Sequence, residues 1–155
     1  MKALLKERQR SKFSVNTARA SLRTMRVVHF AFLFTVVLYL WVPSMLKASP
    51  RKESPKVLAM AMGAVSLTSV GAVLFFQAQR VRPSAERLQL NPDDRQAAAE
   101  WRTGLMLCFA FSETVALLGL ASRILGVSWS IAGIFYGVGA LMLMSCRPKL
   151  ELLPG

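Results

Sequence analysis

The side chain best placed to do acid–base chemistry inside a membrane is Glu113. It lies near the middle of the apolar run GLMLCFAFSETVALLGLASRILG, residues 104–126. A charge at the centre of a hydrocarbon layer costs roughly 2.5 to 3.5 kcal/mol, so an acid at this depth usually has a function. Such a carboxyl group is most easily held protonated and hydrogen-bonded to nearby hydroxyl groups. Glu113 is therefore a candidate proton- or ion-binding residue.

Hydroxyl groups from the other apolar runs can reach the same depth. Because an α-helix rises 1.5 Å per residue, Glu113 lies about 14 Å from the inner end of its run. The same count puts Thr35 about 12 Å deep and Tyr136 about 15 Å deep. Thr68 and Ser69 lie about 12 to 14 Å deep. We therefore expect these four side chains to share the proton- or ion-binding site with Glu113.

Other reactive side chains have simpler expected roles. Arg123 lies ten residues beyond Glu113, about 15 Å along the helix, so we expect it to extend outward rather than to pair with the acid. His29 lies about 3 Å inside the inner edge of its run, where we expect a solvated interfacial histidine, with a proton-feeding role as the alternative. Cys108 and Cys146 lack ligand spacing and are expected to pack as small hydrophobic residues. No metal and no cofactor is expected.

Four apolar runs must position these side chains. The chain has 155 residues, of which 54% are hydrophobic, and a formal net charge of +12. A membrane-crossing helix needs about 20 predominantly apolar residues. The sequence therefore predicts an all-α polytopic membrane protein, a four-transmembrane-helix bundle within residues 27–146. The predicted spans are residues 27–43, 57–76, 104–126 and 129–146.

The segments between the spans are basic and predict the orientation. Residues 1–26 form a basic cytoplasmic segment, either an amphipathic helix on the lipid surface or a disordered tail. Residues 77–103 are expected to be a cytoplasmic loop, and residues 147–155 a cytoplasmic tail. With the N-terminus inside, 15 of the 20 Lys and Arg residues are cytoplasmic, as the positive-inside rule requires. We expect both termini in the cytoplasm and the bundle in a bacterial inner membrane.

Short signals predict a helix start and helix contacts. Asn91 can cap a helix that begins at Pro92, followed by acidic residues that complement the helix dipole. The third helix would then pass Trp101 at the inner membrane interface, with the other two tryptophans at the outer one. In the fourth span, Gly133 and Gly137 form a GxxxG step, which favours close helix packing.

The third helix also resembles a known one. Residues 95–124, RQAAAEWRTGLMLCFAFSETVALLGLASRI, resemble the second helix of the proton-carrying ring subunit (subunit c) of rotary ATP synthases. The resemblance rests on Ala97-Ala98, Arg102-Thr103, the small residue before Glu113, and Ala116-Leu117 through Leu120. The matching glutamate of that family takes up and releases an ion, so the resemblance implies this role for Glu113. The chain departs from the family in having four apolar runs where subunit c has a helical hairpin.

Two functions from different classes follow. In the first, Glu113 binds a proton or ion between helices, in a homo-oligomer or as a subunit of a membrane complex. The alternative is a non-transporting scaffold or assembly partner in which Glu113 is structural. An enzyme is not expected, because the sequence has no Ser-His-Asp set, nucleotide loop or metal cluster. Membrane lipids are expected partners of the basic segments, whereas nucleic acid is not, since no nucleic-acid-reading motif accompanies the charge.

Overall fold

The described part of the chain is built from helices. A computed structural model describes residues 2–45 and 56–148, with side chains from Ser21 onward except at Ser44, Lys56 and Ala59. The elements are α1 (Lys2–Met45), α2 (Lys56–Phe76), a π-helical turn (Gln77–Val81), α3 (Arg82–Leu90), α4 (Arg95–Ile124) and α5 (Trp129–Ser145). The expected outer link between the first two spans and most of the expected C-terminal tail lie outside the described residues.

Three helical segments are long and apolar enough to cross a membrane. They are Ser21–Pro43, Met60–Leu90 and Arg95–Ile124. The fourth apolar helix, α5, has 17 residues, which is about 26 Å at 1.5 Å per residue against a hydrocarbon core of about 30 Å. The prediction of an all-helical, membrane-embedded protein is confirmed at this level, with three helices that can span the bilayer by length and composition.

The N-terminal segment is continuous with the first span. The backbone of residues 2–26 is helical, and α1 runs without interruption from Lys2 to Met45. Good helix formers such as Lys, Arg, Leu and Ala dominate its first half, which favours the extended helix.

In the expected cytoplasmic loop, residues 77–103, the sequence predicted helix only from Pro92, but residues 77–90 are helical as well. α2 passes through the π-helical turn into α3, and the Arg82 N–H donates to the Gln77 carbonyl five residues earlier. Pro83 follows in the first turn of α3. Since proline has no N–H, it interrupts the α-helical hydrogen-bond pattern, and the wider π turn lies at this break.

The turn between α3 and α4 is short, residues 91–94, and the N-cap of α4 is Asp94 and not Asn91. The Asn91 carboxamide oxygen accepts a bond from the Asp93 N–H at 3.2 Å, so it stabilises the turn itself. Asp94 caps α4 by accepting the Ala97 N–H at 2.9 Å. Arg87 of α3 then pairs with Asp94 at 3.3 Å and with Glu100 at 3.1 Å. α3 and the start of α4 therefore form a helical hairpin.

α4 is the central helix of the bundle. It packs against α1, α2, α3 and α5, whereas α1 and α2 make no contact with each other among the described residues. Phe109 of α4 lies against Phe32 of α1, with ring centroids 5.7 Å apart. On another side, Phe111 stacks on Phe76 of α2, with centroids 5.9 Å apart. The α4 face between α1 and α2 is left open.

The tryptophans occupy two kinds of environment. Trp101, expected at the inner membrane interface, is only 2% exposed and belongs to the core beside the α3–α4 hairpin. Trp101 is therefore a core residue and not an exposed interfacial one. Trp41 and Trp129 are exposed on the bundle surface.

Gly119 and Gly139 allow α5 to approach α4 closely. A Cβ at Gly139 would lie 3.0 Å from both the Ala116 nitrogen and the Ser112 carbonyl oxygen of α4. In contrast, a Cβ at Gly133 or Gly137, the predicted GxxxG pair, would meet nothing within 4 Å. The close contact therefore depends on a different glycine of the same helix.

Replacing Gly139 by Ala should destabilise the bundle by about 1 to 3 kcal/mol, because the new methyl group would push α5 away from the α4 backbone. Gly137→Ala is the matched control, and it should be neutral or slightly stabilising because alanine favours the helix. Thermal unfolding in detergent measures both. Equal destabilisation by the two changes would contradict the close α4–α5 contact at Gly139.

The Asp94 cap makes a pH-dependent contribution to stability. The Ala97 N–H and the nearby Arg87 guanidinium hold the pKa of Asp94 below its ordinary value of 3.8. Since this pKa is lower in the folded chain than in the unfolded chain, the stabilisation is fully present above 3.8 and is lost as the pH falls through the folded-state value.

We therefore expect the unfolding temperatures of the wild type and Asp94→Ala to differ above pH 3.8 and to converge at lower pH. Asp94→Asn keeps an acceptor for the Ala97 N–H and should retain a part of the stabilisation that does not change with pH. A difference that grows upon acidification would contradict the sign of the pKa shift.

Candidate functional site

Glu113 lies at the edge of the open face of α4. Its side chain is half-buried, next to the α1 side of the helix. The neighbouring positions on the open face are exposed and apolar or small: Met106, Ala110 and Leu117. In a bilayer this face would meet hydrocarbon on the outer side of the carboxyl group.

The direct partner of Glu113 is Tyr39 of α1. The Tyr39 hydroxyl donates to Glu113 Oε1 at 2.9 Å. Among the described residues, no other hydrogen bond and no ion pair involves this carboxyl group. A phenol can donate to a carboxylate or to the carbonyl oxygen of a protonated acid. The arrangement is therefore compatible with either protonation state of Glu113.

The backbone carbonyl of Tyr39 accepts a hydrogen bond from a third helix, α5. Pro43 lies four residues later in α1 and has no N–H, so the Tyr39 carbonyl lacks its usual helical donor. The Tyr136 hydroxyl of α5 donates to this carbonyl oxygen at 2.8 Å. A break in a membrane helix is tolerated when a neighbouring helix satisfies the freed group in this way.

The Tyr136 ring has room because residue 119 is glycine. A Cβ at Gly119 would lie 3.1 Å from two carbon atoms of the Tyr136 ring. Tyr136 is only 3% exposed. The bonds thus run from Tyr136 to the Tyr39 carbonyl and from the Tyr39 hydroxyl to Glu113, and we call these three residues the Glu113 network.

Three of the predicted site residues lie outside this network. Their hydroxyl groups donate within their own helices, to the carbonyl oxygen four residues earlier: Thr35 to Ala31, Thr68 to Ala64 and Ser69 to Val65, each at 2.9 Å. This local acceptor is always within reach of a Ser or Thr in a helix. α2, which carries two of these residues, also packs on the other side of α4, where Met62 meets Val115.

Tyr39 is not among the predicted site residues, because depths counted along a helix refer to Cα atoms and not to side-chain tips. Its Cα lies about 18 Å from the inner end of the first span, about 4 Å beyond Glu113. Side chains on a helix lean toward its N-terminus, and a tyrosine is long enough to cover the difference. A usable signal was present, since Tyr39 and Tyr136 are the only two tyrosines of the sequence and both lie in apolar runs.

His29 and Arg123 do not join the network. His29, expected to be solvated, is only 5% exposed, and its ring lies 5.2 Å from that of Phe109. It precedes Tyr39 by ten residues, about 15 Å along α1, so it cannot reach the acid directly. Arg123 donates to the Val127 carbonyl at 2.6 Å, and its guanidinium carbon lies 4.3 Å from the centre of the Trp129 ring.

Comparison with known protein families, with curated proteins and with solved structures finds no match to this chain.

Removing the Tyr136 hydroxyl should leave the Tyr39 carbonyl without a donor. We expect Tyr136→Phe to lower the free energy of unfolding by about 1 kcal/mol, which is typical of a hydrogen bond between membrane helices. The matched background is Pro43→Ala, because alanine restores the backbone N–H that the carbonyl lacks.

In this double-mutant cycle, Tyr136→Phe should cost clearly less in the Pro43→Ala background than in the wild type. Unfolding of the four proteins in mixed micelles measures the coupling. If the hydroxyl group has the same effect in both backgrounds, Tyr136 does not compensate for the proline.

Proposed function

We propose that this chain is a small integral membrane protein that binds and releases a proton at Glu113. The observation that carries the proposal is the position of the carboxyl group. It lies half-buried at the edge of an apolar face and accepts one hydrogen bond, from Tyr39. An acid inside a membrane is costly when charged, so the neutral form is favoured until water or a counter-charge reaches it. The resemblance of α4 to the second helix of subunit c supports the same role.

The proposal includes a four-span topology. α5 would be the fourth crossing, because thinning of the bilayer or flanking polar residues can accommodate a helix slightly shorter than the hydrocarbon core. Both termini would then lie on the same side, which is the cytoplasmic side of a bacterial inner membrane by the distribution of Lys and Arg. The open face of α4 would present the acid to lipid, to another copy of the chain or to another subunit.

The position of Tyr39 supports reversible proton binding. Its hydroxyl bonds to Oε1, while Oε2 makes no hydrogen bond to any described residue. A proton can therefore reside on Oε2 without displacing the contact with α1. The phenol would hold the carboxyl group in place during the exchange, and the exposed side of the site would provide the route.

A scaffold is the second candidate function, and one observation favours it. The Glu113 network connects α1, α4 and α5, so the acid also contributes to packing. In a purely structural role, Glu113 would affect stability but not proton movement.

Carbodiimide labelling separates the two candidates. Dicyclohexylcarbodiimide is hydrophobic and modifies protonated carboxyl groups in apolar surroundings, so we expect an adduct on Glu113 and none in Glu113→Gln. Glu100→Gln is the matched control, because Glu100 belongs to the same helix but pairs with Arg87 outside the apolar run. Mass spectrometry of the labelled peptide measures the result.

Proton flux into vesicles containing the purified protein is the second measurement. Flux that is lost in Glu113→Gln and kept in Glu100→Gln supports proton binding as the function. Tyr39→Phe should keep the adduct on Glu113 while lowering stability by about 1 kcal/mol. If Glu113 remains unlabelled and Glu113→Gln alters only the unfolding temperature, the scaffold is the better description.

A further inference from the structure

Cys108 and Cys146 form a pair of thiols at one end of the bundle. Cys108 belongs to α4, and Cys146 directly follows the last residue of α5. Their side chains are hydrogen-bonded to each other. Both are free thiols; Cys108 is fully buried and Cys146 is only 3% exposed. The fold therefore joins two cysteines whose spacing in the sequence gives no sign of pairing.

The end of α2 lies beside both sulfurs. The Cys108 sulfur lies 3.8 Å from the Val73 carbonyl oxygen, and the Gln77 amide nitrogen lies 3.0 Å from the Cys146 sulfur. Because residues four apart share one side of a helix, a single side of α2 and its π-helical turn makes both contacts. The Ser112 side chain, one turn after Cys108 in α4, also lies beside the Cys146 sulfur. Three helices thus hold the pair in place.

The two sulfurs have different surroundings. Cys146 has the Gln77 amide beside it, which donates a hydrogen bond to the sulfur. Cys108 has the Val73 carbonyl oxygen beside it, which can only accept one. Since the thiolate is the nucleophile in thiol chemistry, the sulfur with the donor is better suited to attack. Cys146 therefore fits the role of the attacking thiol, and Cys108 that of the second thiol that closes a disulfide.

Burial selects a small oxidant for this pair. The 3% exposure of Cys146 leaves little access for a bulky reagent, whereas hydrogen peroxide is scarcely larger than water. A sulfenic acid that forms beside a second thiol condenses with it to a disulfide. In the topology proposed above, this end of α5 faces the cytoplasm, where thiols are kept reduced. A disulfide at this place would be a transient response to an oxidant.

We propose that Cys108 and Cys146 are a peroxide-sensitive dithiol that closes to a disulfide between α4 and the end of α5. In the first step the Cys146 thiolate attacks a peroxide oxygen: the S–O bond forms, the O–O bond breaks, and the released hydroxide takes up the thiol proton to give water. In the second step the Cys108 sulfur attacks the Cys146 sulfur, the S–O bond breaks, and the hydroxide leaves with the Cys108 proton as water. Two thiols and one peroxide thus give one disulfide and two waters.

Treatment of the purified full chain in detergent with dilute hydrogen peroxide tests the proposal. We expect peptide mass spectrometry without reductant to show the Cys108 peptide linked to the Cys146 peptide, and a thiol reductant to separate them. Cys108→Ser should stop at a sulfenic acid on Cys146, which dimedone traps. Cys146→Ser should leave Cys108 unmodified at the same peroxide concentration, because the Cys108 sulfur is fully buried.

The role of Gln77 is tested by the rate of disulfide formation. Gln77→Leu removes the donor beside the Cys146 sulfur. It should slow the reaction roughly fivefold, the effect expected for one hydrogen bond. Gln79→Leu is the matched control and should react at the wild-type rate, because Gln79 is an exposed residue of the same π-helical turn.

Two free thiols in the folded wild type after peroxide treatment would overturn the proposal and leave a pair that only packs. A disulfide between two copies of the chain, seen as a dimer without reductant, would also overturn it. Equal dimedone labelling of the two serine variants would contradict the assigned roles. Should a variant fail to fold, the cross-link in the wild type decides. None of these results depends on the outcome for Glu113→Gln, so this inference and the proposed proton binding stand or fall separately.

Discussion

Pro43 leaves the backbone carbonyl of Tyr39 without its helical donor, and the Tyr136 hydroxyl takes that place at 2.8 Å. The Tyr39 hydroxyl in turn donates to Glu113 at 2.9 Å. Within hydrocarbon an unsatisfied polar group costs several kcal/mol, because no water replaces the missing partner. Each of these bonds therefore satisfies a group on one helix with a group from another. The positions of α1, α4 and α5 become interdependent at the depth of the acid.

The packing of α4 makes this network sterically feasible. Gly119 leaves space for the Tyr136 ring, and Gly139 brings the two helices into backbone contact. Small residues give membrane helices close approach without a hydrophobic driving force between them. Because α2 packs on a different side of α4, the open face, with Glu113 at its edge, is not covered by any described residue. The site is thus packed against α1 and α5 but open on its outer side.

Composition and apolar length were sufficient to predict the helical membrane class. They could not give the azimuth of a residue around its helix axis. Thr35 and Thr68 have suitable depths, yet each hydroxyl bonds within its own helix. Tyr39 has a greater nominal depth, yet its long side chain reaches the acid. Axial position follows from counting residues along the helix. Radial direction follows from an apolar–polar periodicity, which a nearly uniform apolar run lacks. The same limit explains why Gly133 and Gly137 were selected by their spacing, although Gly139 makes the contact.

Glu113 and Arg123 are the acidic and the basic residue of the apolar part of α4, and of these two only the acid suits a reversible charge. Arg123 lies near the helix end, where its guanidinium meets the Val127 carbonyl and the Trp129 ring, and arginine stays protonated in proteins. Glu113 lies about 15 Å deeper. No Lys, Arg or His among the described residues is within ion-pair distance of it. The Tyr39 phenol alone is a weak substitute for hydration, so the proposed proton binding at Glu113 depends on what meets the open face: hydrocarbon favours a neutral acid, whereas water or a positive charge favours an ionised one.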